Sequence, residues 1–301
     1  MHNIPTNFRK FYSICKELFK KEVNDRNDFQ FYPAVPKMND LQIVALSCLM
    51  ETLGIDSENL LWSKLKTDYA DLFDNLIDRS RFNRRRRRLS PMIERVQHHV
   101  AERLDQLSQT MIVDSIPVPV VKLAREKSFK SFKSDFETAP AKGYSAVNKS
   151  WYIGYKLHVI IYDNGVIQQA DITKANVHDI NFLKEINHLP EQKFLLGDRA
   201  YISQAVQINL FDHYEVKLKV PFRHNQHHYR KYPKKNRSKR QMIETVFAQL
   251  CDHLNLRRNY ARSFPGLAAR LASKLSAVSL LQFINFKNGL KISKIKHALC
   301  F

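Results

Sequence analysis

Apolar positions in the first hundred residues recur at helical spacing, and from residue 110 they close into the short runs expected of strands. Leu41, Val44, Ala45, Cys48 and Leu49 form one helical face, with Asn39 or Asp40 to cap its start and Gly54 to close it. A second helix starts at Asp56 or Ser57 and carries Leu60, Leu61 and Leu65. Ser90 followed by Pro91 gives a capping residue and a preset first turn to a third helix, which runs to about Leu107. Residues 1–108 are therefore expected to be helical, compatible with helix–turn–helix packing but without a specific turn signature.

Beyond this the period changes. Met111–Val118 is one apolar run, and Trp151–Tyr162 is a longer one rich in β-branched and aromatic residues. Asp163-Asn164-Gly165 supplies a tight turn into Val166–Thr173, because Asn-Gly tolerates positive φ at both turn positions. A helix over about 179–187, a buried strand over 193–197 ending at Asp198, a helix over about 203–213 and a short strand over 216–220 follow. Three strands with a hairpin, then strand–helix–strand–helix, is the order of an RNase-H-like mixed α/β sheet. A last stripe, Leu267, Leu271, Leu275, Val278 and Leu281, predicts a C-terminal helix packed on that core, so 109–301 is taken as the second domain.

Composition narrows the class. A chain of 301 residues that is 44% hydrophobic can bury a full core, so disorder is not expected. Forty-nine Lys and Arg against 29 Asp and Glu give +20 and an isoelectric point near 9.8, which calls for a polyanionic partner, most often nucleic acid. Seven of the ten residues from Arg79 to Arg88 are arginine. The adjacent Arg84, Arg85, Arg86, Arg87 and Arg88 repel one another unless phosphates lie close by, so a phosphate-contacting segment is preferred to a solvated face. Cys15, Cys48, Cys251 and Cys300 are scattered, which supports neither a disulfide framework nor a zinc finger. With no signal-type segment and no run of about 18 uncharged apolar residues, a cytoplasmic protein without a membrane span is expected.

Three acids carry the chemistry. Asp114 interrupts the first strand, Asp198 ends the strand at 193–197, and Glu244 lies on a helix whose apolar stripe is Ile243, Phe247, Leu250 and Leu254. A carboxylate set among core residues is costly to bury unless a cation pairs with it, and carboxylates from separate elements are the usual holders of divalent ions. Two such ions activate water and stabilise the leaving alkoxide in phosphodiester hydrolysis. Each acid alone has an ordinary alternative: Asp198 as a cap of the next turn, Asp114 as a cap before Pro117, Glu244 as a surface residue. Arg240, one helical turn before Glu244, can set a guanidinium beside a phosphate. The interval from Val216 to Ile243 has no acid and ten Lys or Arg, interleaved with Tyr229, Tyr232 and the histidines His224, His227 and His228. In that cationic setting these histidines suit DNA contact or solvation better than a metal cluster. Lys156 and His158 alternate to one face of their strand and either line the site or cover the sheet.

Taken together, Asp114 in its strand, Trp151-Tyr-Ile-Gly-Tyr-Lys-Leu-His158, Thr173-Lys-Ala-Asn-Val-His-Asp179, Gly197-Asp-Arg-Ala-Tyr201 and Arg240-Gln-Met-Ile-Glu244 resemble bacterial insertion-sequence transposases of the DDE class, specifically the family numbered 982. Leu53–Asn59 and Arg79–Arg84 fit the same family, so the resemblance spans nearly the whole chain. It implies an RNase-H-like core in which Asp114, Asp198 and Glu244 bind two Mg²⁺ or Mn²⁺ ions, with a DNA-binding region over 1–108. It implies double-stranded DNA partners, both terminal inverted repeats and target, with hydrolytic nicking at the 3′ ends and attack of the freed 3′-OH on target DNA. A homodimer on DNA, associated with the bacterial nucleoid, is expected. DNA contacts are assigned to Arg240, Arg237, Lys156, His158, Arg199, Tyr201 and Arg84–Arg88. A related group carries Tyr-x2-Arg-x3-Glu-x6-Lys around the glutamate; here Arg240 and Glu244 match, but Arg237 and Cys251 stand at the Tyr and Lys positions. The rival readings are a metal-dependent nuclease without strand transfer and a non-catalytic basic DNA-binding protein, with RNA as a weaker alternative partner.

Overall fold

The computed structural model describes residues 3–299 apart from 56, 133, 134, 148, 224, 226–228 and 259. The helix start considered at Asp56, the three histidines His224, His227 and His228, and Cys300 lie outside the described residues. The chain divides into a helical unit of residues 1–100 and 250–301 and a second unit of residues 101–249, which the chain therefore enters and leaves once each.

The helical unit holds α1 (Ile4–Leu18), α2 (Asp40–Thr52), α3 (Glu58–Thr67), α4 (Arg79–Arg88), most of α5 (Ser90–Leu104) and, after the second unit, α9 (Phe264–Lys287). Asn39 caps α2 in a reciprocal box with Gln42, and Gly54 beyond its end takes a positive φ of 66°, as the capping residues predict. Ser57 caps α3, although Leu60 is exposed and Trp62 takes its place in the core. α2 is buried along nearly its whole length, so it needs partners on more than one side: α1 and α9 both pack against it. The sequence joined the C-terminal helix to the strand-bearing segment. Instead α9 completes the helical unit, because its buried Leu267, Leu271, Leu275, Val278 and Leu281 belong to the core built around α2. Among the described residues it is the one helix long and apolar enough to cross a membrane, but 89% of that apolar window is buried within the protein.

The arginine run forms α4 and has acidic partners that local sequence does not reveal. Arg86 is 1% exposed and bonds Glu51 at 2.5 Å, with Glu58 at 3.5 Å. Arg85 bonds Asp40 at 2.6 Å and the Met38 carbonyl. Neither guanidinium is available to a phosphate, which corrects their assignment to DNA contact; Arg84, Arg87 and Arg88 are exposed. Lys274 of α9 also bonds Glu51, and Arg270 stands 3.7 Å from it. Burial alone would raise the Glu51 carboxyl, but the surrounding Lys274, Arg86 and Arg270 outweigh it and hold it down at about 2.

The second unit is built on a six-stranded sheet: β1 (Thr110–Val121), β2 (Ala141–Ser145), β3 (Ser150–Tyr162), β4 (Ile167–Lys174), β5 (Phe194–Leu196) and β6 (Lys217–Lys219). β1 pairs antiparallel with one edge of β3; β2 and β4 share the other edge, β2 along residues 150–154 and β4 along 155–161. β5 joins the free edge of β1 in parallel and β6 joins β5 in parallel, giving the mixed sheet the element order predicts. The Asp163–Gly165 hairpin is present, closed by Tyr162 and Val166, with Gly165 at φ 93°. Where β3 crosses β1, a Cβ on Gly154 would lie 2.2 Å from the Val118 carbonyl oxygen, so only glycine permits that approach. The helices are α6 (Ile180–Lys184), α7 (Gln204–Tyr214, capped by Ser203) and α8 (Lys234–Asp252), which begins within the predicted basic loop. On α8 the buried positions are Ile243, Val246 and Leu250; Phe247 is half-buried, and Leu254 lies beyond the helix end.

Candidate active site

The parallel pairing of β1 with β5 aligns Met111 with Leu195 and Ile112 with Leu196. Two residues further along each chain stand Asp114, still on β1, and Asp198, just past the end of β5, so the pairing leads both acids to one end of the β1–β5 pair, where the charge of Asp198 reaches Asp114. β1 continues past this point while β5 ends, and the departure is made at Gly197. A Cβ there would meet Tyr201 at 3.2 Å and Val113 at 3.3 Å, so glycine lets the ring of Tyr201 close over the strand end. Asp198 also caps the turn that follows: its Oδ1 accepts the Ala200 N–H at 2.8 Å. The capping role and a place beside Asp114 thus coexist in one residue.

Burial pushes the Asp114 carboxyl up to about 6, helped by the nearby charges of Asp198 and Asp179. The Ser115 N–H, bonded to Asp114 Oδ1 at 2.8 Å, and Arg240, 3.7 Å from Oδ2, pull the other way without winning. Arg240 is held over β1 because its neighbour Lys239 ties α8 to the sheet, donating to Thr110 Oγ1 at 2.8 Å and pairing with Asp163 at 2.5 Å. One cation of the basic stretch is therefore a tether.

Asp179, the last residue of the 173–179 motif, is the second carboxylate after Asp198 whose charge reaches Asp114. Its Oδ1 accepts from Lys156 at 2.9 Å and from Ser115 Oγ at 3.1 Å. The only sequence signal for it was its place in the 173–179 motif, since its partners come from two other strands. Tyr201 is 1% exposed and feels the charges of Asp179, Asp114 and Asp198; burial and those charges push its phenol upward, so it stays protonated. Its buried hydroxyl has no hydrogen-bond partner among the described residues, and neither has the Arg240 Nε. A protonated donor beside crowded carboxylates suits a bound water, and it is the carboxylate oxygens that suit a hard cation.

Several assigned residues stand elsewhere. Glu244 is exposed on α8, one turn beyond Arg240, and among the described residues no three acidic, histidine or cysteine side chains are already clustered as a metal cage. Asp114 and Asp198 are brought together; Glu244 is not closed onto them. His158 is fully buried, bonded to Thr173 Oγ1 at 2.8 Å and stacked on Phe182, and burial lowers its ring to about 4. Its assignment to DNA contact is corrected: it pairs with Ser115 on the strand, where α6 covers it. Tyr201 is corrected for the same reason, burial. Lys156 is paired with Asp179, whereas Arg199 and Arg237 are exposed.

A family model described as a transposase DDE domain matches residues 105–264, spanning the sheet, the paired aspartates and all of α8. No curated protein and no solved structure matched the chain.

Proposed function

This chain belongs to the transposase DDE-domain family, and from that premise we propose that it binds the terminal inverted repeats of an insertion sequence of the family numbered 982, nicks their 3′ ends and joins the freed 3′-OH to target DNA. The observation that carries this reading is Asp114 on β1, within reach of the charge of Asp198 just past the end of the neighbouring β5, in a chain with a formal charge of +20. Antiparallel β1, β3 and β4 followed by parallel β5 and β6 support an RNase-H-like core. Asp114, Asp198 and Glu244 would hold two Mg²⁺ or Mn²⁺ ions, which when bound make water nucleophilic near neutral pH and stabilise the leaving oxygen.

The protein's own groups supply the rest. Ionised Asp114 is held at a cost, from burial first and from the charges of Asp198 and Asp179 second, which an arriving cation would relieve. Arg240 turns from Asp114 toward a scissile phosphate, a planar donor that can bind two of its oxygens. Tyr201 keeps its proton on Oη and donates toward water held among the carboxylates. Glu244 closes the set from α8. Lys234, Lys235, Arg237, Lys239 and Arg240 crowd the first two turns of α8, where the helix dipole is already positive, an arrangement that a polyanion stabilises. Exposed Arg199 and Arg237, with Arg84, Arg87 and Arg88 in the helical unit, contact backbone phosphates. The helical unit binds the repeat ends, and two copies assemble on DNA to bring the ends together. With Arg237 and Cys251 at two positions of the related Tyr-Arg-Glu-Lys signature, no hairpin step is proposed.

The test uses labelled end duplexes with Mg²⁺, then precut ends with a supercoiled plasmid. Nicking at the 3′ ends and joined products are expected, both lost in Asp114→Asn, Asp198→Asn and Glu244→Gln while end binding persists. Cleavage without joining would favour a plain nuclease. Unchanged cleavage in a variant would remove that residue from the set.

A further inference from the structure

A cavity of about 710 Å³ in the helical unit lies between the start of α3, one face of α4 and the segment from Tyr260 into α9. Arg79, Arg86, Arg87, Arg262 and Arg270 line it, with Glu58 as the acid among the lining residues. Glu51, bonded to Arg86 beneath it, also holds Lys274 and Arg270. Glu58 serves Arg79 at 3.6 Å and Arg86 at 3.5 Å. Six cations thus face two carboxylates among the described residues. Such an excess gathered around a concavity is unfavourable unless an anion enters it. The first turn of α9 adds to this, for among the described residues Ser263 makes no side-chain capping bond to it, and Gly266 leaves the wall bare of a side chain. Tyr260, 66% exposed, offers an aromatic face at the rim.

We propose that this cavity takes one nucleotide of an unpaired DNA strand, with its phosphate on Arg79, Arg87 and Arg262 and its base against Tyr260. The volume falls within the ~300–1,000 Å³ usual for small-ligand sites and is concave, so it admits a nucleotide rather than a duplex. Guanidiniums around the phosphate with an aromatic face for the base are the two parts that single-strand sites combine. The proposal rests on the transposase reading, which makes DNA the polyanion at hand. It adds a site for strand ends made of residues 180 positions apart in sequence, distinct from the metal-binding carboxylates.

The full chain carrying Asp114→Asn, so that no cutting intervenes, is titrated with a fluorescent 12-nucleotide single strand and, separately, with an end duplex. Arg79→Gln and Arg262→Gln, both at exposed positions, are each expected to weaken single-strand binding about fivefold at 0.1 M salt and to lower the log–log salt slope by about 0.7. Tyr260→Ala weakens it and Tyr260→Phe restores it, while Lys16→Gln, an exposed charge removed from α1, leaves it within twofold. Unfolding curves for each variant separate lost binding from lost structure. Single-strand binding by Arg79→Gln and Arg262→Gln equal to that of Lys16→Gln overturns the proposal while duplex binding keeps the transposase reading intact. Tight, Arg262-dependent binding of free dAMP with no effect of the variants on the oligonucleotide also overturns it. A wild-type chain that binds neither DNA sinks both.

Discussion

Asp114 works against the stability of the protein that carries it, and this can be measured without any catalysis. Moving a carboxyl from its ordinary 3.8 to about 6 means that ionising it in the folded protein costs about 3 kcal/mol more than in the unfolded chain. The side chain is 28% exposed, so solvent screening brings the expected penalty to about 2–3 kcal/mol. Asp114→Asn removes the charge yet keeps an Oδ1 able to accept the Ser115 N–H, so little else is lost. The sign follows from linkage. Below pH 3.8 the carboxyl is protonated in both states and the variant gains nothing. Between 3.8 and 6 the wild type falls progressively behind, and above 6 the full difference holds. Calorimetric unfolding in EDTA from pH 4 to 8 should give Asp114→Asn an advantage growing to about 4–12 °C in Tm. Adding Mg²⁺ at pH 7.5 should then raise the wild type and leave the variant where it was. A variant less stable than wild type at pH 7.5, or a difference flat across the pH range, would refute the buried, like-charged setting assigned to Asp114.

Glu51→Gln leaves Arg86 and Lys274 buried without their counter-charge and should cost the helical unit about 3–5 kcal/mol in urea unfolding. Because Glu51 is held at about 2, the stability it lends is present above pH 4.5 and lost as pH falls toward 2, a dependence the variant should lack. Tyr201→Phe removes a buried hydroxyl that has no partner among the described residues and should stabilise the metal-free protein by about 1 kcal/mol while weakening Mg²⁺-dependent nicking. Gly154→Ala drives a methyl into the Val118 carbonyl and should unpair β1 from β3, seen as lost folding cooperativity and protease cuts in 101–249.

The legible parts of the chain were those whose signal is local. Asn-Gly fixed the hairpin, Asn39 with Gln42 fixed a helix start, and the apolar runs located β1 with Asp114 inside it and β5 with Asp198 just beyond it. The parts missed depend on partners far along the chain. Arg85 and Arg86 look like free charge until Asp40, Glu51 and Glu58 come round to meet them. Nothing in Gly197-Asp-Arg-Ala-Tyr201 distinguishes a tyrosine facing DNA from one folded under the strand end. An apolar stripe shows that α9 is buried but not in which core. β2, five residues of mixed polarity, has no pattern of its own and is a strand because the long β3 offers it an edge.

Because the helical unit is made of residues up to 100 and then residues from 250 onward, its synthesis is interrupted by all of the second unit. At ~5–20 residues per second a ribosome takes roughly 8–30 s to make the intervening segment. Throughout that time α2 waits without α9, and Glu51 waits without Lys274. The strand-bearing unit, by contrast, is contiguous and has its whole sequence before the helical unit is complete. A premature stop between Glu244 and α9 would therefore release a chain with Asp114, Asp198 and Glu244 in place and its first hundred residues lacking α9, a natural substrate for proteolysis.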